Sequence, residues 1–194
     1  AVAAVGSFTT CAATYSLARA VGHKVVPSWE RLDKEQRVAF GANSVGLLHA
    51  LVVSPPSLLA IYAILSSDAA SQVSSAASAE DEAVSLLTVE APQKLVIATG
   101  ISCGYFIYDC VLMALSAEAR ASLGTSLCVC MWLHHVVSAI VWPYCVIVDR
   151  GAIFVAQLLT TELSNIGQNA YYVVGLMASV RPAVKTLVVV VWIL

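Results

Sequence analysis

The sequence predicts an all-α fold, a multi-pass transmembrane bundle of about six spans. Three observations carry this prediction. Only 11% of the 194 residues are charged, against about 25% in an ordinary soluble domain. Hydrophobic residues make up 59% of the chain, and the mean hydropathy is +0.84. The shortage of charge extends over the whole length, so the apolar residues fall into successive runs long enough to cross a bilayer. A net charge of −2 gives no reason to expect nucleic acid as a partner. The six cysteines, Cys11, Cys103, Cys110, Cys128, Cys130 and Cys145, all lie in apolar runs and read as small buried hydrophobes. Cys128 and Cys130 are too close for a CxxC motif and no zinc spacing occurs, so neither a metal nor a cofactor is expected.

Residues 1–194 read as a single domain. The run Ala1 to Ala18 is uncharged and forms the first span. The chain lacks an initiator Met, starts inside an apolar run and stops inside another, so it is expected to be a portion of a longer protein. Arg19 to Arg37 is a polar connection. Within it, Pro27-Ser28 before Trp29 predicts a short capped helix at the membrane interface with Trp29 as its anchor, a solvated loop being the alternative. Val38 to Leu65 is the second span, charge-free apart from the titratable His49, and Pro55-Pro56 is expected to kink or end it.

Residues 66–93 differ in kind. Half of them are Ser or Ala, and Asp68, Glu80, Asp81, Glu82 and Glu90 make the segment an acidic low-complexity loop without assigned chemistry. Leu95 to Ala117 is the third span, interrupted only by Asp109. Ala121 to Val148 holds the fourth, centred on His134-His135. Asp149-Arg150-Gly151 reads as a tight turn. Ala152 to Leu176 is the fifth span, interrupted only by Glu162. Arg181 and Lys185 flank a sixth span cut off at Leu194.

Basic residues predict the orientation. With alternating spans, Arg19, Lys24, Arg31, Lys34, Arg37, Arg120, Arg181 and Lys185 fall on one side, and only Lys94 and Arg150 on the other. The first side is expected to be cytosolic, or matrix or stromal in an organelle. The host is expected to be an endomembrane or organellar membrane.

The ionisable groups inside the spans define the candidate site. His49, Asp109 and Glu162 each lie about three residues from the midpoint of their uncharged run, and the histidine pair lies less than about one. At 1.5 Å of rise per residue, all fall within roughly 5 Å of one plane. An ionised group at mid-bilayer costs about 3 kcal/mol or more, and opposite charges at one depth offset that by pairing. Ser102, Tyr105 and Asp109 share a helical face, as do Glu162, Asn165 and Asn169. Both polar stripes are expected to point inward. His134 and His135 point about 100° apart, so one is expected to face a cavity and the other a neighbouring helix. Interhelical glue is the bland alternative for each residue alone. Gly100, Gly104 and Gly124 read as close-packing positions. Tyr171, Tyr172, Trp142 and Trp192 read as interface belt or packing.

Gly104-Tyr105-Phe106 with Asp109, then His134-His135, then Glu162-Leu163-Ser164 with Asn169, resembles the TLC domain, over nearly the whole chain. That family includes ceramide synthases, the translocating-chain-associated membrane protein and small TLC-domain proteins of lipid homeostasis. Two departures stand out. The family's aromatic, Arg, Ser and His at three-residue spacing reads here as Phe40, Asn43, Gly46 and His49. The His-Asp pattern of ceramide synthases reads as Leu158-Leu159. The resemblance is therefore closer to the small lipid-homeostasis branch.

What the resemblance implies is lipid binding or processing in a mid-membrane polar cavity. His134, His135, Asp109 and Glu162 are the candidate catalytic residues. His49, Ser102, Tyr105, Asn165 and Asn169 are the candidate lipid-binding residues. In the acyltransferase alternative a histidine of the pair serves as base or acyl acceptor, Asp109 or Glu162 orients it, and acyl-CoA is the co-substrate. In the other alternative the chain is a non-catalytic subunit of a larger membrane complex. A membrane lipid is the partner in the first two readings and other subunits in the third.

Overall fold

The computed structural model describes residues 1–66 and 90–176. The predicted sixth span, Trp192 and nearly all of the acidic loop lie outside the described residues. Each regular element among the described residues is helical. They are α1 (Val2–Val25), a 3₁₀ turn (Trp29–Arg31), α2 (Lys34–Leu65), α3 (Gln93–Leu115), α4 (Ala117–Leu123), α5 (Thr125–Ile147), α6 (Ala152–Thr160) and α7 (Glu162–Leu176). Of these, α2, α3 and α5 are each long and apolar enough to cross a membrane. The helical membrane bundle read from the sequence is the one observed.

The membrane explains why these helices are apolar almost all round. Leu58, Leu59, Ile97, Leu133, Ile140 and Ile147 are exposed on the described bundle, which is the arrangement lipid tails favour. In lipid, helices are held by close contact and hydrogen bonds rather than by escape from water. Small residues supply that contact. A Cβ on Gly104 would collide with the Ala4 carbonyl, and one on Gly100 would come to 3.0 Å of Ala3. This seats α1 on α3, where the Ser7 hydroxyl donates to the Ile101 carbonyl at 2.7 Å. Gly46 brings α2 against α7, since a Cβ there would stand 3.0 Å from the Asn169 amide. The central core is Phe106 and Leu95 of α3, Trp142 of α5, Val155 and Leu159 of α6, and Ile64 of α2.

Local signals set the helix ends. Asp33 starts α2 with a capping box: its carboxylate accepts from the Gln36 N–H at 2.7 Å, and Gln36 Oε1 accepts from the Asp33 N–H at 3.2 Å. Such caps contribute about 1 kcal/mol. Asp149 ends α5 at a φ of +50°, and Gly151 follows at +78°, forming the tight turn that the sequence predicts. From there the Asp149 carboxylate accepts the Ala91 N–H at 3.0 Å, tying the start of α3 to the end of α5.

Five expectations are corrected. Pro55-Pro56 does not end α2, which runs on to Leu65. Ending a helix inside lipid would strand more backbone groups than the two missing N–H groups do. The Ser57 hydroxyl also donates to the Val53 carbonyl at 2.7 Å. Span five is not continuous but breaks at Thr161. The hydroxyls of Thr160, Thr161 and Ser164 each donate to the carbonyl three residues back, local bonds that compete with the helical ladder. Trp29 is not a lipid-interface anchor. It is buried, its ring closes on Gly22, and it meets Phe40 edge-on at 5.7 Å. Gly124 is a turn glycine at a φ of +73° with open space around it, not a packing position. Cys130 is exposed, and Cys110, Cys128 and Cys145 are only half-buried.

The Gly104 contact predicts asymmetric tolerance along one interface. Gly104→Val forces α1 off α3 and lowers stability by about 1–3 kcal/mol. Gly6→Val, where a Cβ meets nothing within 4 Å, leaves it nearly unchanged. Thermal unfolding of the two detergent-solubilised variants, followed by monodispersity, checks this.

Candidate functional site

Polar residues of five helices, α2, α3, α4, α5 and α7, line one cavity of about 740 Å³. Its floor is a close polar contact: His135 Nδ1 of α5 stands 3.0 Å from Asp109 Oδ2 of α3. The ring nitrogen is not aimed squarely enough at the carboxylate to make a linear hydrogen bond. At 3.0 Å the imidazole and the carboxylate are within range of a direct polar interaction. His135 is held by its neighbours, stacking on Phe106 at 4.9 Å and 24° and meeting Tyr105 at 5.7 Å.

The opposite wall is α7. The break at Thr161 makes Glu162 the first residue of that helix, where the aligned backbone dipoles favour a carboxylate. Glu162 is buried, and the Asn165 amide donates to its Oε2 at 2.8 Å. The Asn169 amide in turn donates to the Asn165 carbonyl at 2.8 Å. The stripe predicted from spacing is thus a connected row facing the cavity.

The structure brings together Tyr105, Asp109, His134, His135, Glu162, Asn165 and Asn169. His134 and His135 split roughly as predicted. His135 is buried against Asp109, while His134 is exposed at the cavity wall, edge-on to Phe106 and Trp142. Two candidates do not join the cavity. Ser102 is fully buried between helices with no partner for its hydroxyl. His49 lies behind the wall, stacked on the far face of Tyr105 at 4.0 Å and 14°. The shared depth is correct for His49, but its face is not: three-residue spacing turns it toward α1 as the helices cross.

Some lining residues escape a sequence reading. The mouth is formed by Asp33, Glu35 and Gln36 at the start of α2 and by Ser122 after α3. The connections bearing Arg31 and Arg120 therefore flank one opening. Asn43, Gln168 and Tyr172 complete the walls. Asn43 was legible, since it sits at three-residue spacing with Gly46 and His49. Tyr172, read as belt or packing, lies three residues beyond Asn169 on the same stripe and was legible too, whereas Gln168 was not, because helical spacing alone does not say how wide the cavity face of α7 is. Trp142 packs in the core, as expected, while Tyr171 is half exposed.

The lining has a sign. Asp33, Glu35, Asp109 and Glu162 all border the cavity, and among the described residues no Lys or Arg does. It is suited to a neutral or cationic polar group and opposes an anionic one.

Comparison with known proteins gives one match. The family model for the TLC domain covers residues 39–194. No curated protein and no solved structure matches the chain.

The His135–Asp109 contact predicts strong coupling. His135→Leu leaves a buried carboxylate without its partner and destabilises by about 3–5 kcal/mol. The double variant His135→Leu/Asp109→Leu recovers much of that loss. A double-mutant cycle on unfolding in detergent measures it, and additive effects would rule the pairing out.

Proposed function

The chain belongs to the TLC-domain family, and on that premise we propose that this integral membrane protein holds a lipid by its polar headgroup in the acidic cavity and serves lipid homeostasis. The observation that carries the reading is the row of buried Glu162 and half-buried Asn165 and Asn169 facing His135–Asp109 across a cavity of about 740 Å³. The cavity is lined by more polar than apolar residues, and it offers both carboxylate acceptors and amide donors. Burying such groups at mid-membrane is costly unless they are used. A headgroup with hydroxyls or an amine meets their demands, and the mouth lets it enter from the end of the bundle.

The acid lining weighs on the choice between binding and acyl transfer. Acyl-CoA carries several negative charges, and its phosphates would pass Asp33 and Glu35 at the mouth. Binding without turnover is therefore favoured. The acyl-transfer reading retains one supporting observation, the His135–Asp109 contact, which is the geometry of an oriented general base. In that reaction His135 takes the proton of a lipid hydroxyl, the oxygen attacks the thioester, the C–S bond breaks and the proton passes to the departing thiolate.

Native mass spectrometry of the full chain from its own membranes tests the proposal. A retained lipid is expected in the wild type, with occupancy falling at least about ten-fold in Glu162→Ala, the effect of losing one or two charge-assisted hydrogen bonds. An empty wild-type protein, or a Glu162→Ala variant that retains as much, would overturn it. Turnover of acyl-CoA with mixed lipid acceptors, abolished in His135→Ala, would replace binding by catalysis.

A further inference from the structure

A second opening lies on the other side of the Tyr105 ring. It is a crevice of about 360 Å³ between α1, α2 and α3. Gly6 and Cys11 line it from α1, Leu48 and Val52 from α2, and Ile97 and Ile101 from α3. Leu48, Val52 and Ile97 are exposed on the lipid-facing surface, so the crevice opens sideways into the bilayer rather than at the end of the bundle. It shares no lining residue with the acidic cavity.

The crevice contains an unmet demand. His49 lines it and is 4% exposed, yet neither ring nitrogen has a hydrogen-bond partner. A neutral imidazole presents one donor and one acceptor, and leaving them unpaired in lipid is expensive. The nearby hydroxyls do not serve, because Ser7 donates to the Ile101 carbonyl and Thr10 to the Gly6 carbonyl. Tyr105 stacks flat on the ring and so offers His49 a face, not a proton. Pro56 has no N–H to give the Val52 carbonyl at the edge of the crevice. Gly6 leaves room, since a Cβ there meets nothing within 4 Å.

We infer that this crevice is a second lipid site that takes a neutral, apolar molecule carrying a hydroxyl, with the hydroxyl bonded to His49. A hydroxyl both donates and accepts, so it serves either nitrogen of either tautomer. Among the described residues no Lys or Arg lines the crevice, so a carboxylate or phosphate would meet no counter-charge from them. An alkane would leave His49 unpaired. Long-chain alcohols and sterols share the required chemistry and differ in shape. The site stands apart from the headgroup cavity and does not depend on what that cavity binds.

Photolabelling separates these cases. The full chain in phosphatidylcholine nanodiscs is labelled with a diazirine-bearing long-chain alcohol, and labelled peptides are mapped. Label is expected on residues 3–11 and 97–101. Hexadecanol should compete about five-fold better than hexadecane, the effect of one neutral hydrogen bond. In His49→Phe, which keeps the stack on Tyr105, the two should compete equally. Gly6→Leu fills the crevice and should abolish the label while lipid retention by the acidic cavity is unchanged. A parallel arm with diazirine-bearing cholesterol tells which hydroxyl lipid fits, and preferential label from either one supports the site. Equal competition in the wild type, label confined to the acidic cavity, or label undiminished in Gly6→Leu would each overturn it.

Discussion

Ionisable groups set among apolar helices need a partner, and Asp109 has one in His135, 3.0 Å away. The rest of the bundle is arranged to make that contact possible. Phe106 stacks under His135 and Trp142 closes behind Phe106, so the ring is gripped on its apolar face while one nitrogen points to α3. Asp109 comes from the same helix as Phe106, one turn further on. A single pair of helices therefore supplies the carboxylate, the imidazole and the wall that orients them. The carboxylate of Glu162 needs a different solution. It sits at the start of a half-length helix, where backbone dipoles and the Asn165 amide take the place of a cation.

The bundle consequently has two halves of opposite character, divided by rings. On one side of Tyr105 lies a wide acidic cavity that opens at the end of the helices. On the other lies a narrow apolar crevice that opens to lipid. The stack of His49 on Tyr105, 4.0 Å between centroids, and the approach of Tyr105 to His135 make a partition two rings thick. Neither opening reaches through it.

Much of this was legible in the residues, and the parts that were not share a cause. Depth along a span follows from counting, so the common level of Asp109, His135 and Glu162 could be read directly. Angular spacing placed Glu162, Asn165 and Asn169 on one face. Spacing says nothing of the angle at which helices cross, and His49 was lost to the wrong side for that reason. Of the two outcomes expected at Pro55-Pro56, a kink or an end, the second does not occur, because ending a helix is favourable only where water can take the freed carbonyls. The break at Thr161 was under-read, although three hydroxyls in five residues, at positions 160, 161 and 164, were visible. The residues of the acidic mouth come from a capped helix start and a connection, where sequence pattern carries little spatial information.

The seating of α1 has a consequence for how the protein is made. That helix is rich in Ala, Thr and Ser, and it is not among the described helices apolar enough to cross a membrane unaided. Its place is secured by α3, through the Gly104 approach and the bond from Ser7 to Ile101, 94 residues later in the chain. During synthesis at about 5–20 residues per second, α1 must wait several seconds or more before its seat exists. Thr9, Thr10 and Ser16 donate to carbonyls of their own helix and need no such seat, so what α1 lacks through that interval is the close small-residue contact with α3 and a partner for Ser7.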